Sequence, residues 1–173
     1  MEVLEATVTV EDLDAFVARL GEIGDEHSVA LQALDARYIV DRAHLRRAVE
    51  LADRAFERGD NIADDLAVEI LLYAAGTRQI SQALELGVEP GGCPAVIVAH
   101  DPTTDTRSED AGRERAALEA VRSLATVEPE TTLGAYDERR VREWFEITDA
   151  ELRTGGNLAA LVRERVALLV VEK

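Results

Sequence analysis

Apolar and polar positions alternate from Glu2 to Val10 with β-branched enrichment, the period of a strand with one buried face. The pattern then changes to helical spacing at Leu13, Phe16, Val17, Leu20 and Ile23, after a weak capping signal from Thr9 and Asp12. Residues 29 to 40 predict a second strand, irregular at Asp35 and ended by Asp41. Between Asp41, a suitable N-cap, and Gly59, a suitable stop, Leu45, Ala48, Val49, Ala52, Ala55 and Phe56 form one apolar stripe, the clearest helix in the chain. A helix pair follows, from about residue 63 to 75 and from 78 to 86, broken at Gly76. PAVIVAH, residues 94 to 100, suits an interior strand after the turn-rich EPGGCP.

Further along, residues 101 to 110 read as an exposed loop, with Ser108 capping a helix that turns Ala117, Leu118, Val121 and Leu124 inward. Val141, Trp144 and Phe145 share a helix face, and Thr148 with Glu151 matches a capping box. Gly155 and Gly156 interrupt before Leu158, Leu161 and Val162 begin a short helix, and the apolar run at residues 166 to 171 predicts a last strand buried on both faces. The alternation of strands with one or two helices predicts an α/β fold, a mixed sheet of about four to five strands flanked by helices. At 173 residues the chain has the length of a single domain, residues 1–173.

Composition narrows the setting. No apolar run approaches the roughly 20 residues that span a bilayer, and the N-terminus shows no secretory pattern, so a soluble cytoplasmic protein is expected. There are 35 Asp and Glu against 19 Lys and Arg, for a formal net charge of −16, and Lys173 is the sole lysine. Scattered acid with arginine in place of lysine resembles proteins of salt-loving archaea, where screening removes the self-repulsion of such a charge. The acid is unevenly spread: residues 1 to 36 carry nine acids against Arg19 alone, whereas residues 37 to 58 carry six arginines against four acids.

Enzymatic readings fail at the level of grouping. Cys93 has no base beside it in sequence and reads as a small buried hydrophobe. His100 with Asp101 is a pair without a nucleophile, and His27, His44 and His100 lack metal-ligand spacing. The glycine pairs do not belong to a phosphate loop. A hydrolase or transferase built on Cys93 or His100 ranks last. The segment EILLYAAGTRQI, residues 69 to 80, says more. Gly76 can stop one helix and Thr77 can cap the next, which leaves Arg78 and Gln79 in its first turn, where a cation opposes the helix dipole. Arg78 therefore wants a negative partner. That partner is either an anionic ligand, with Gln79 free to read a base edge or sugar, or a carboxylate such as Glu69.

These residues, with LQALDARYIVDRAHLRRAV (31 to 49), Asn61-Ile62-Ala63, EILLYAAGTRQISQAL (69 to 84), PAVIV, VREWFEI and LVRERVALLVVEK, resemble the small kinase-binding subunit of the archaeal and eukaryotic KEOPS complex. The resemblance covers about two thirds of the chain and is weakest in the N-terminal region and in the loops at residues 101 to 115 and 126 to 140. It implies a non-catalytic α/β protein without a cofactor, metal or small-molecule substrate of its own. Such a protein binds and stimulates the complex's atypical kinase and captures the single-stranded CCA tail of tRNA, while other subunits carry out threonylcarbamoyl transfer and use ATP. Gly76, Thr77, Arg78, Gln79 and Ile80 match the RNA-tail motif, and Asn61 matches a polar position ahead of it. Arg58 joins them from local positive charge alone. The kinase is expected on an exposed apolar patch near Leu158, Leu161 and Val162. The other reading of the same features is a protein-interaction module without RNA contact.

Overall fold

A computed structural model describes residues 1–103, 112–154 and 156–170. In chain order the elements are β1 (Glu2–Val10), α1 (Leu13–His27), β2 (Ala30–Asp35), a 3-10 turn (Ala36–Tyr38), α2 (Arg42–Arg58), α3 (Leu66–Ala75), α4 (Ile80–Ala83), a second 3-10 turn (Leu84–Leu86), β3 (Gly91–His100), α5 (Gly112–Arg122), β4 (Val127–Pro129), α6 (Glu138–Trp144), α7 (Asp149–Arg153) and α8 (Leu158–Leu168). Contacts gather them into two compact units, a sheet unit (Met1–Asp35 and Gly87–Thr132) and a helical unit (Ala36–Leu86 and Leu133–Lys173). Among the described residues no helix is long and apolar enough to cross a membrane.

The sheet unit carries the α/β character. Its four described strands run in the order β2-β3-β1-β4, every pair antiparallel. β3 is interior, as its apolar run requires. The register sets Ala6 opposite Ala95 and Val8 opposite Cys93 on one side, and Leu31 opposite Ala99 and Ala33 opposite Ile97 on the other. With a period of two these side chains share one face, and Phe16, Leu20 and Ile23 of α1 with Ala117, Leu118 and Val121 of α5 bury it. Asp12, rather than Thr9, caps α1, its carboxylate accepting the Ala15 N–H at 3.0 Å. Gly24 is required where α1 turns into β2, because a Cβ there would stand 2.8 Å from the Val29 carbonyl oxygen. The second strand stops at Asp35, and the chain continues as a 3-10 turn where an extended run to residue 40 is expected from sequence.

In the helical unit, α2 presents Leu45, Ala48, Val49 and Ala52 to α3 and α8. Its ends are where the sequence puts them: Asp41 accepts the His44 N–H at 2.7 Å, and Gly59 closes the helix at φ +68. Thr148 and Glu151 form a complete capping box at α7.

The last element departs from expectation. Residues 166 to 170 do not form a strand; α8 runs through Leu168, and Asn157 caps it by accepting the Ala160 N–H at 2.8 Å. Leu158, Leu161, Val162, Val166 and Leu169 are all buried, and this is helical spacing: the apolar run continues the stripe begun at Leu158. Leu158, Leu161 and Val162 consequently point inward, and the expected exposed patch at these positions is absent. The exposed large apolar side chains near this end of the unit are Leu168 and Val170. Residue 171 of the expected strand, Gly155 and the expected cap at Ser108 lie outside the described residues.

Candidate nucleic-acid interface

The candidate motif begins where α3 ends. Gly76 takes the left-handed conformation at φ +64; the N–H groups of Gly76 and Thr77 donate to the Tyr73 and Leu72 carbonyls at 3.1 and 3.2 Å. This closure satisfies carbonyls that the helix end would otherwise leave open. The next two carbonyls are held by side chains from elsewhere in the unit. Nε2 of buried His44 lies 2.9 Å from Ala74 O, and the Trp144 indole N–H donates to Ala75 O at 2.9 Å. Phe145 packs against the turn, 3.4 Å from where a Gly76 Cβ would be, an ordinary contact distance, so it is the left-handed φ rather than close approach that calls for glycine. The turn rests on a fixed base.

Beyond Gly76 the backbone is not helical until Ile80, and α4 is a single turn. Thr77 is not the cap of α4: the N-cap is Gln79, which makes no side-chain cap bond, and the Thr77 hydroxyl instead accepts the Gln79 N–H at 3.2 Å and donates to Gln82 at 2.8 Å. Arg78 thus precedes α4 and does not oppose its dipole. Arg78, Gln79 and Ile80 are exposed.

Glu69, the carboxylate that sequence reasoning offers to Arg78, is engaged elsewhere. It is fully buried, and Oε2 accepts the Ile62 and Ala63 N–H groups at 3.0 and 2.8 Å. Asn61 belongs to the same turn and donates its side-chain amide to Ala63 O at 2.9 Å. Its amide shapes the loop leading into α3. Among the described residues no ion pair engages Arg78.

What lies beside Arg78 is a depression of about 540 Å³ within the helical unit, where Arg78 meets Arg47, Arg54 and Arg58 of α2, with Asp60 the carboxylate in its lining. Leu51, Ala55 and Tyr73 line it as well. Burial and the Glu69 charge push the Tyr73 phenol above its ordinary value, against the opposing pull of Arg78 and Arg58. The structure therefore joins Arg58 and Arg78 of the sequence candidates in one cavity. Gly76 and Thr77 form the turn that presents Arg78, Gln79 and Ile80 flank it, and Asn61 follows Asp60. Arg47, Arg54 and Tyr73 are missed by sequence reasoning; the arginine-rich polar face of α2 is the signal that could have found the first two.

In the sheet unit, Cys93 is buried within the core. His100 and Asp101 are buried at the end of β3, where Glu114 accepts the Asp101 N–H at 3.0 Å and Asp101 pairs with Arg113 at 3.3 Å.

The chain matches the family described as Kinase binding protein CGI-121 over residues 9–169 and belongs to that family. No curated protein matches it.

Proposed function

From membership of a kinase-binding family, we propose that this chain is a regulatory subunit of the KEOPS tRNA-modifying complex, which binds and stimulates the complex's small kinase and holds the CCA tail of tRNA. It contributes no chemistry of its own. The turn at Gly76, Thr77, Arg78, Gln79 and Ile80 receives the tail, with Arg58 beside it and Asn61 shaping the adjoining loop. The observation that carries the RNA half of this reading is Arg78: an exposed guanidinium with no ion pair among the described residues, in a chain with 35 acidic residues, on a turn fixed from below by Trp144, His44 and Phe145. Guanidinium forks suit phosphate, and an unpaired tail exposes base edges and stacking faces that a duplex hides. The composition suits a salt-rich cytoplasm, where screening shortens to about 3 Å near 1 M salt and contacts supply more of the affinity than steering does.

Titrating tRNA with and without its CCA tail, at high salt, tests this. Removing the tail should weaken binding at least about tenfold, and Arg78→Ala should do the same to intact tRNA while leaving the circular dichroism spectrum unchanged, a loss of about 1.4 kcal/mol or more. Family membership alone also fits a protein-interaction module without RNA contact. On that reading kinase binding persists and tRNA affinity is absent or indifferent to both changes.

A further inference from the structure

The depression beside Arg78 is lined by both signs of charge. Arg47, Arg54, Arg58 and Arg78 stand around it together with the carboxylate of Asp60, and the Tyr73 phenol lies close enough to Asp60, Arg58 and Arg78 to feel all three. Each sign arrives on a fixed backbone. Gly59 closes α2 at φ +68, and the next residue, Asp60, donates its N–H to Ala55 O at 2.9 Å. Gly76 closes α3 at φ +64 in the same way, and Arg78 follows two residues on. One device, a helix ended by a left-handed glycine, thus sets both the carboxylate and the guanidinium of the cavity.

That mixture selects among ligands. A bare anion satisfies the arginines but is repelled by Asp60. A strand running on through the cavity meets the same repulsion, because a further phosphate follows every internal ribose. The ligand that suits both signs has a phosphate, hydroxyl donors beside it, and no second phosphate beyond them. In RNA only the 3′ end has this form. There the 2′- and 3′-hydroxyls are adjacent, and the two oxygens of a carboxylate, which only accepts, can take one each. A carboxylate holds a ribose hydroxyl in dinucleotide sites by the same chemistry. At about 540 Å³ the depression falls within the roughly 300 to 1,000 Å³ of small-ligand pockets, which suits one terminal nucleotide and leaves the duplex stem of a tRNA outside.

We infer that the depression reads the free 3′ end of RNA, with Asp60 accepting from the 2′,3′-diol of the terminal nucleotide while Arg58 and Arg78 hold the phosphate on its 5′ side. This rests on the tail reading above and adds a condition that tail capture alone does not impose: the terminal diol must be unmodified. A tail that is extended, phosphorylated or esterified with an amino acid has lost one of the two hydroxyls. The site therefore favours mature, uncharged tRNA.

Fluorescence anisotropy at one fixed high salt tests it, with labelled tRNA ending in adenosine, in 2′,3′-dideoxyadenosine or in purine riboside, and with tRNA lacking CCA. The wild type should bind the adenosine end about tenfold or more tightly than the dideoxy end, and Asp60→Ala should bring that ratio close to one with the thermal midpoint preserved. The ratio is the readout because removing a carboxylate from among arginines tightens the binding of any RNA. Purine riboside, which keeps the diol and lacks the adenine amino group, should bind as adenosine does. Tail-dependent binding that is indifferent to the dideoxy end overturns the end reading and leaves tail capture intact. A ratio that persists in Asp60→Ala gives the diol to another group and overturns the inference. A preference for adenosine over purine riboside that Asp60→Ala removes assigns the carboxylate to the base and likewise overturns it. Equal binding with and without the tail overturns both readings.

Discussion

His44 sits where a histidine has to be neutral. It is fully buried, its ring meets Phe145 edge-on at 5.7 Å between centroids, and Nε2 lies against the Ala74 carbonyl, which accepts only from a protonated nitrogen. The Nε2–H tautomer satisfies that bond and leaves Nδ1 unprotonated and without a partner among the described residues, so a second proton would bring an uncompensated charge into the interior. Burial accordingly pushes the His44 pKa down to about 4, against the smaller upward effect of the Ala74 bond. Because the folded value lies below the unfolded one, the unfolded chain binds the proton first; stability from this site is complete above pH 6.5 and drains away as pH falls towards 4. The full window is worth roughly 3 kcal/mol. Urea unfolding at pH 7 and pH 5 should show the wild type losing stability between them, and His44→Leu should flatten that loss whatever its own stability at pH 7. Equal pH slopes in the two proteins would count against the assignment. Glu151 does not confuse the measurement: the Thr148 N–H, then Arg165 and the Thr148 hydroxyl, hold its carboxyl down at about 2, so its contribution is present above its ordinary value and fades only in stronger acid.

At the scale of elements, the end of α3 is held by side chains distant in sequence, and the single tryptophan is one of them. Trp144→Phe keeps an aromatic ring near Tyr38 but removes the donor to Ala75 O. The expected cost is about 1 kcal/mol of stability for the lost bond, with faster amide hydrogen exchange at Gly76 and Thr77, read by mass spectrometry. Unchanged exchange there would show that the turn holds itself. Much of this architecture is legible in the sequence because caps are local chemistry. Asp41, Gly59, Gly76 and the Thr148–Glu151 box each act within a few residues, and each stands where the sequence places it. The misreadings come from what is not local. The β-branched run from Val166 reads as a strand until it is set in phase with Leu158 and Leu161. β4 is three residues long, too short to carry a period of two. Arg47 and Arg54 look like any solvated helix face; only α3, the Arg78 turn and the end of α8, folded against α2, make that face concave.

Over the whole molecule the acid is not shared evenly between the two units. The sheet unit carries 18 acidic residues against 5 basic, a net of −13, whereas the helical unit carries 17 against 14, a net of −3. The arginine depression therefore lies in the unit that is nearly neutral, and most of the self-repulsion sits in the unit with the sheet. Salt should then act on the two properties in opposite directions. Raising KCl from about 0.1 to 1 M shortens the screening length from about 10 to about 3 Å, which weakens repulsion among scattered surface acids while leaving buried contacts largely alone. The thermal midpoint should climb by several degrees over that range, because unfolding separates charges that the folded surface crowds together. RNA affinity should fall over the same range, since each phosphate contact gives up its counterion advantage as bulk salt rises. A thermal midpoint that stays flat or drops would show that the negative charge is already compensated in the fold, and the salt-adapted reading of the composition would have to be abandoned.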